Sequence, residues 1–440
     1  MHIPQRPTDR TILGWSDQGA SGLAMAATTL RRTLRIEHWP LPTSDLPSGT
    51  ALVGGAVRDG LLGRLGARPD LDLVVPGDAI ALCEELGRRY GGTAVVLDGQ
   101  RSIARVVLRG WCLDLARQVG DSLEEDLWRR DFRLNALALP LSPQMPLLDP
   151  TGGLRDLALG QVVAVREANL RDDPLRLLRG IRLAAELDFE LGEVTGRWIQ
   201  AHHRLIGAVA SERVLVELEK LAGCPAGNRG LAVALEKQLL DPWRPDLRAA
   251  AEGTAEAIHA ATLWSLQRLT GERAGSIGLG QDEAAGALGL ARLAVLFDGE
   301  GVRRLHGSRH LQQRCGRLHH WWRQLIAAGA GVEERLAAMA EAERLSLHQQ
   351  LAGDLPALLL FFPAPLAIDW LRRWREDSDP LFHPHAPVDG WTLQQTFGLV
   401  PSRRLGLLLT HLTVELAFGR INKPDDALKA ARIWLDGTRP

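Results

Sequence analysis

Apolar and polar positions divide this chain of 440 residues into two regimes. Between Ala51 and Leu115 the apolar residues come in short runs: Ala51-Leu-Val, Leu71-Asp-Leu-Val-Val, Thr93 to Leu97, Ser102 to Leu108 and Cys112 to Leu115. Runs of that length between turn residues predict strands. Val57 to Gly63 and Ala79 to Tyr90 carry apolar residues at helical spacing, and Pro76-Gly77 marks a turn before the second of them. The expected result is a small α/β unit on a mixed or antiparallel sheet. After Leu123 the period is helical almost throughout. Short strands are expected only near Leu147 and at Val162-Val163, and none over residues 230 to 440. Residues 1 to about 45 read as weakly ordered apart from a helix over Leu23 to His38, with Met25 an alternative start. Pro40, Pro42 and Pro47 then mark a linker. The fold class is α+β.

Composition changes this picture little. A chain of this length exceeds one ordinary core and predicts several domains. Apolar residues make up 45% and charged residues 24%, as in a globular protein, and the net charge is −1. A polyanionic partner would therefore have to be met by a local basic surface. Cys83, Cys112, Cys224 and Cys315 form no Cys-x-x-Cys pair and no zinc spacing, which predicts a reduced protein. The most apolar stretch, Leu355 to Leu366, is broken by Pro356, Pro363 and Pro365 and falls short of the ~20 residues that cross a bilayer. No signal-peptide pattern opens the chain. The expectation is a cytoplasmic protein without a membrane partner.

The candidate chemistry begins at Gly54-Gly55-Ala56-Val57-Arg58-Asp59, followed by Asp70-Leu71-Asp72. A glycine pair between strand and helix lets backbone N–H groups approach a phosphate. Alternate residues of a strand share a face, so Asp70 and Asp72 repel each other unless a cation sits between them. That is the arrangement a magnesium site with substrate phosphates requires. Asp114, on the later strand Cys112 to Leu115, is either a third carboxylate of this site or a polar strand-end residue. Downstream, Arg129, Arg130 and Asp131 are expected on a helix next to the sheet. Asp173 and Arg176, at i and i+3 with Pro174 in the first turn, are expected on one helix face. An Asp acceptor beside an Arg donor fork satisfies the pairing edge of cytosine or adenine, whereas guanine and uracil present a carbonyl where Asp needs a donor. The pairs His202-His203 and His319-His320 point to different helix faces and make poor metal sites, and Trp321-Trp322 reads as packing.

These motifs resemble, in order, those of the class II tRNA nucleotidyltransferases and bacterial poly(A) polymerases of the polymerase-β-like superfamily, closest to the CC-adding type. Gly-Gly-x-Val-Arg-Asp with Asp-x-Asp is the first. Glu125 to Phe132 with Asn135-Ala136 is similar to the family's Arg-Arg-Asp motif, and Asp149 to Leu157 to its hinge. Asp172-Asp173-Pro174-Leu175-Arg176 is similar to its nucleotide-selecting motif, and Ser211-Glu212-Arg213 with Glu217 to the helix that follows. Beyond residue 221 the likeness is loose until Pro387 to Leu435. There Ser402-Arg403-Arg404 stands where a Gly-Pro pair is common.

The resemblance implies a catalytic head over 46–160, a nucleotide-selecting helical neck over 161–235, and a helical body over 236–380. It also implies a tRNA-binding tail over 381–440, the whole being elongated. It implies Mg²⁺ held by Asp70 and Asp72, with tRNA and CTP or ATP as partners. Ribose selection falls to Arg129, Arg130 and Asp131, and base selection to Asp173 and Arg176. Gly54, Gly55, Arg58, Asn135, Arg179 and Arg182 complete the nucleotide site, the last two facing triphosphate or RNA backbone. Relatives that build a complete C-C-A end usually carry a long flexible segment before the Arg-Arg-Asp motif. Here Ser122 with Glu125 is a capping box, so only Ala116 to Asp121 is expected as free loop. The family's CC-adding specialists lack the segment in the same way and depend on a separate A-adding enzyme. The resemblance thus implies addition of C-C alone. The alternatives are full CCA or A addition, poly(A) synthesis, or a non-catalytic RNA-binding module.

Overall fold

The computed structural model of the protein describes residues 9–244, 252–327 and 331–437. Two helices, α1 (Asp9–Asp17) and α2 (Gly19–Leu34), occupy the stretch expected to be weakly ordered. Ile12 and Trp15 are buried, and α1 packs against α6 (Gly153–Leu159). Helix α2 begins before the predicted Leu23 and stops at Arg35, whose left-handed conformation (φ 46°) closes it with an N–H to the Arg32 carbonyl. Arg31 donates to the carbonyls of Pro140, Ser142 and Met145 at 3.1, 3.0 and 2.7 Å. The N-terminal helices are thereby tied to the sheet-bearing part of the chain.

The predicted strands form as β1 (Ala51–Val53), β2 (Leu71–Val75), β3 (Thr93–Asp98), β4 (Ile103–Leu108) and β5 (Trp111–Arg117). A further strand, β6 (Ala138–Pro140), completes a six-stranded sheet in the order β3-β4-β5-β2-β1-β6. The sequence pattern misses β6 because it is short and ends in proline; it lies on the sheet edge, where proline's missing N–H costs no ladder bond. The sheet is mixed: β2 and β5 run parallel and every other pair antiparallel. Leu71, Leu73, Leu113 and Leu115 are buried, and α4 (Ala79–Tyr90) packs against β3, β4 and β5. Ala51, Val53, Val74, Ala136 and Ala138 build a second cluster that takes in Leu127 from α5 (Leu123–Trp128). A two-stranded ladder of β7 (Gln161–Val162) and β8 (Glu190–Leu191) follows, with α7 (Glu167–Asp172), α8 (Leu175–Leu187) and α9 (Glu193–His202). Gly180 lets α8 close on the sheet side of the chain, for a Cβ there would lie 2.6 Å from Phe132 Cζ.

The chain separates into two compact units, Met1–Val209 with Lys237–Leu239, and Ala210–Glu236 with Leu240–Pro440. The second is helical, with no strand among its described residues. The buried Arg292, on the helix Gln281–Leu296, donates to the carbonyls of Ala222, Cys224 and Leu269, each at 2.7 Å. These carbonyls lie where Ser211–Gly223 and Glu252–Arg268 end, so one guanidinium satisfies acceptors that helix termini leave open. Trp321 and Trp322 are buried, as the packing reading expects. Leu393, Leu405, Leu408, Leu412, Ile421, Ala427 and Ala431 form a separate small core near the C-terminus. No helix among the described residues is long and apolar enough to cross a membrane.

His348 lies in this unit at 1% exposure, between the rings of Trp370 and Phe382 at centroid distances of 4.9 and 4.3 Å. Neither ring nitrogen has a hydrogen-bond partner among the described residues. Burial, then Arg344 and Arg373, push its pKa from 6.5 down to about 3, against the pull of Asp379. The unfolded chain therefore takes up a proton below pH 6.5 that the folded chain refuses until about pH 3. Its contribution to stability is complete above pH 6.5 and is lost as the pH falls through that window. Urea unfolding at pH 7.5 and 5.0 checks this: His348→Leu should shrink the acid-induced loss by roughly 2 kcal/mol relative to the parent chain.

Candidate active site

The site begins where β1 turns into α3 (Gly55–Leu61). Gly54 adopts φ +71°, and a Cβ there would sit 2.9 Å from Asp72 Oδ2. Glycine is thus required by conformation and by contact. Strand register sets the carboxylates: Asp72 pairs with Asp114 across the parallel β2–β5 ladder, and Asp114 with Arg105 across β4–β5. Arg105 grips both Asp114 oxygens, at 2.6 and 2.8 Å. Burial above all, with Asp114 and Asp70 adding to it against Arg130 and Arg179, pushes Asp72 up to about 6. Asp70 stands exposed immediately before β2. Asp72, its charge only partly offset, is a hard oxygen donor of the kind a divalent cation takes, although no group of three metal-ligating side chains stands together among the described residues.

Arg129, Arg130 and Asp131 do not lie on a helix as expected. Helix α5 ends at Trp128, and these three residues form the turn after it. The backbone leaves the helix because Phe132 is buried and bridges to Ala164. The cap at the start of α5 does form: Ser122 Oγ accepts from the Glu125 N–H, while the Glu125 carboxylate accepts from Asp121 N–H. Asn169, unremarked in the sequence, staples the turn by donating to the Trp128 and Arg130 carbonyls at 2.9 and 2.7 Å. Arg176 donates to the carbonyls of Arg129 and Asn169. Arg130 pairs with Asp126 at 3.1 Å. Asp131 accepts from Phe132 N–H and Asn135 and faces Arg179 at 3.3 Å. Burial opposes its charge, but Arg179, the Phe132 N–H, Arg176 and Asn135 outweigh that and hold its carboxyl below the usual range. Asp173 likewise precedes its helix: α8 starts at Leu175 with Pro174 as cap, and Asp173 Oδ1 accepts from Leu175 N–H.

A polar cavity of about 340 Å³ gathers these groups. Gly54, Gly55, Arg58, Asp72, Arg130, Asp131, Asn135, Asp173, Arg176, Arg179 and Arg182 all line it. Arg129, whose side chain is exposed, does not, and neither do Asp70 and Asp114. Residues 112–163 match the Poly A polymerase head domain, and 188–251 a domain described as the probable RNA and SrmB-binding site of polymerase A. A CC-adding tRNA nucleotidyltransferase of Synechocystis is 34% identical over 410 residues, covering 89% of this chain and 95% of that protein. An A-adding tRNA nucleotidyltransferase of Deinococcus radiodurans is 30% identical, covering 91% and 98%. The chain belongs to the tRNA nucleotidyltransferase family. Among solved structures, the Thermotoga maritima CCA-adding enzyme complexed with tRNA shares the fold at TM-score 0.65 and 20% identity, covering 88% of this chain and 91% of that one.

Membership makes the chain a nucleotidyltransferase and a divalent metal the expected partner of its carboxylates. Three groups escaped the sequence reading of the nucleotidyltransferase site. Asn169 gives no local signal, since its partners lie about forty residues away. Glu186 lines the cavity paired with Arg182, and only their i,i+4 spacing could have suggested it. Arg105 alternates correctly on β4 but meets Asp114 only through register.

Arg58 serves the fold as well as the cavity. It is 6% exposed, holds Asp59 at 2.8 and 2.9 Å, and donates to Asn135 Oδ1 at 2.8 Å. Arg58→Ala should lower unfolding stability by roughly 2–3 kcal/mol, because it leaves a buried acceptor and a partly buried carboxylate without their donor. Denaturant unfolding measures this. An unchanged midpoint with a raised KM for nucleotide would make Arg58 a ligand contact alone.

Proposed function

We propose that this chain extends the 3′ end of tRNA by C-C and stops, taking CTP as donor and Mg²⁺ as metal. What carries the transferase reading is one cavity that gathers Asp72 with Asp131, Asp173 and Arg176. Bound Mg²⁺ would be held by Asp70 and Asp72 and would supply charge stabilisation to the attacking and leaving oxygens. The tRNA 3′-hydroxyl attacks the α-phosphorus of the nucleotide, a new P–O bond forms, and pyrophosphate leaves. Asp173 and Arg176 meet the pairing edge of the base, and the bonds of the Arg176 side chain to the Arg129 and Asn169 carbonyls keep its fork fixed. Asp131 stands where it can accept from ribose, with Arg130 beside it. Arg179 and Arg182 balance the triphosphate charge. The tail over 381–440 supports the tRNA.

The C-C limit is supported by the connection between β5 and α5. The strand runs to Arg117, beyond the predicted end, and α5 starts at Leu123, which leaves only residues 118–122. Even these are tethered: Gln118 N–H donates to Val75, Val119 N–H to Asp126, and Asp121 N–H to Glu125. A segment this short and this tied has little freedom to remodel the base pocket from C to A. The likeness to the Deinococcus A-adding protein over most of the chain favours A addition as the second reading.

With CTP and ATP supplied together to tRNA lacking its 3′ end, products resolved at single nucleotides should accumulate at C-C. Efficient terminal A addition would overturn the C-C limit, and a long A tail on unrelated RNA would point to poly(A) synthesis. Asp72→Ala should reduce addition by at least about a thousandfold, since it removes a charge-stabilising ligand from the reacting centre. Circular dichroism should match the parent chain and unfolding stability should be no lower, because the change relieves a crowded, part-buried carboxylate. Near-parent turnover in a purified variant would remove Asp72 from the chemistry.

A further inference from the structure

A cavity of about 650 Å³ lies entirely within the second unit, and the nucleotide chemistry above makes no use of it. Its wall combines Trp264, Arg268 and Arg273 with Leu325, Ile326 and Phe361. Trp264 is 45% exposed, although tryptophan is ordinarily among the better-buried side chains. Arg268, four residues on along the helix Glu252–Arg268, lies over its ring with the guanidinium carbon 4.1 Å from the centroid. Helical spacing holds that pair in place. Arg273 is fixed from behind by donating to the carbonyls of Leu360 and Phe362.

Neither arginine has a carboxylate partner among the described residues, and no carboxylate lines the cavity. The two cations face one solvent-open space, and Arg273 binds its proton less tightly through burial and the nearby Arg268. An anion relieves that repulsion. Leu325 and Ile326 come from a π-helical stretch, Arg323–Ala327, a geometry enriched at functional positions.

We propose that this cavity holds one unstacked nucleotide of the bound RNA, its base on Trp264 and its phosphate on Arg268 and Arg273. Phosphate-binding cations beside an exposed aromatic face are the elements by which proteins hold single nucleotides of a strand. A free nucleotide fits less well, because no Asp, Asn, Gln, Ser or Thr side chain is among the described residues of the lining to read a base edge. The occupant is therefore a segment of a larger RNA, selected by shape and charge and tolerant of base identity. This rests on tRNA being the substrate.

The test uses the full chain with Trp264→Leu, Trp264→Phe and Arg268→Ala. The dissociation constant for tRNA lacking its 3′ end is measured across a salt series, alongside KM for CTP. Trp264→Leu should weaken tRNA binding roughly fivefold to a hundredfold, and Trp264→Phe should restore most of it. Arg268→Ala, at an exposed side chain, should weaken binding and reduce the salt slope by about 0.7 to 0.9. KM for CTP should stay unchanged in all three. Unaltered tRNA affinity in Trp264→Leu and Arg268→Ala overturns the proposal. So does a raised KM for CTP with tRNA binding intact, which would assign the cavity to free nucleotide. Should the parent chain bind tRNA yet add no nucleotide, the functional reading fails while the affinities still decide this one.

Discussion

The row Arg105–Asp114–Asp72 across three neighbouring strands is the constraint on which the active site depends. Two carboxylates sit side by side on parallel strands in a sheet whose opposite face is packed with leucine and valine. Such a row is unstable without compensation. Arg105 neutralises one member by a two-pronged contact, and the other is left pushed toward its neutral form. Gly54 has to be glycine for its backbone conformation, and a Cβ there would in addition crowd the Asp72 oxygen. The first motif is therefore shaped as much by the carboxylate it faces as by the turn it makes.

A second layer is built from backbone rather than charge. The Arg129–Asp131 turn carries Arg130 and Asp131 into the polar cavity, yet a turn is a poor platform unless something holds it. Asn169 and Arg176 do so by binding its carbonyls. Arg176 thereby couples the start of α8 to the turn, and the Asp131–Arg179 pair joins the two a second time.

The helical unit uses arginine differently. Arg292 is buried to 1% exposure and finds only carbonyl partners, and its pKa falls to about 10 because burial penalises its charge. It is retained by helix-end acceptors that would otherwise be unsatisfied. Arg273 also donates to carbonyls, but it and Arg268 line an open cavity, whereas Arg292 is enclosed.

Much of this was legible in the residues alone. Strand length and β-branched runs marked β1 to β5, the order of motifs marked the family, and nearly every residue of the polar cavity could be named before any coordinates. Local spacing is enough for the strands because their period is a local property, whereas most cavity residues were named through the family resemblance. The misreadings share another cause. Helix α5 was extended through Arg129 to Asp131 because nothing in the sequence says that Phe132 will be drawn into a bridge with Ala164. β6 was missed because three residues ending in proline read as a strand only beside β1. The pairing of Arg105 with Asp114, the support from Asn169 and the cavity beside Trp264 depend on register and on contacts between residues far apart in the chain. The sequence alone determined the chemistry and its order along the chain. Which atoms face one another was decided only by tertiary packing, because strand register and buried hydrogen bonds are satisfied globally.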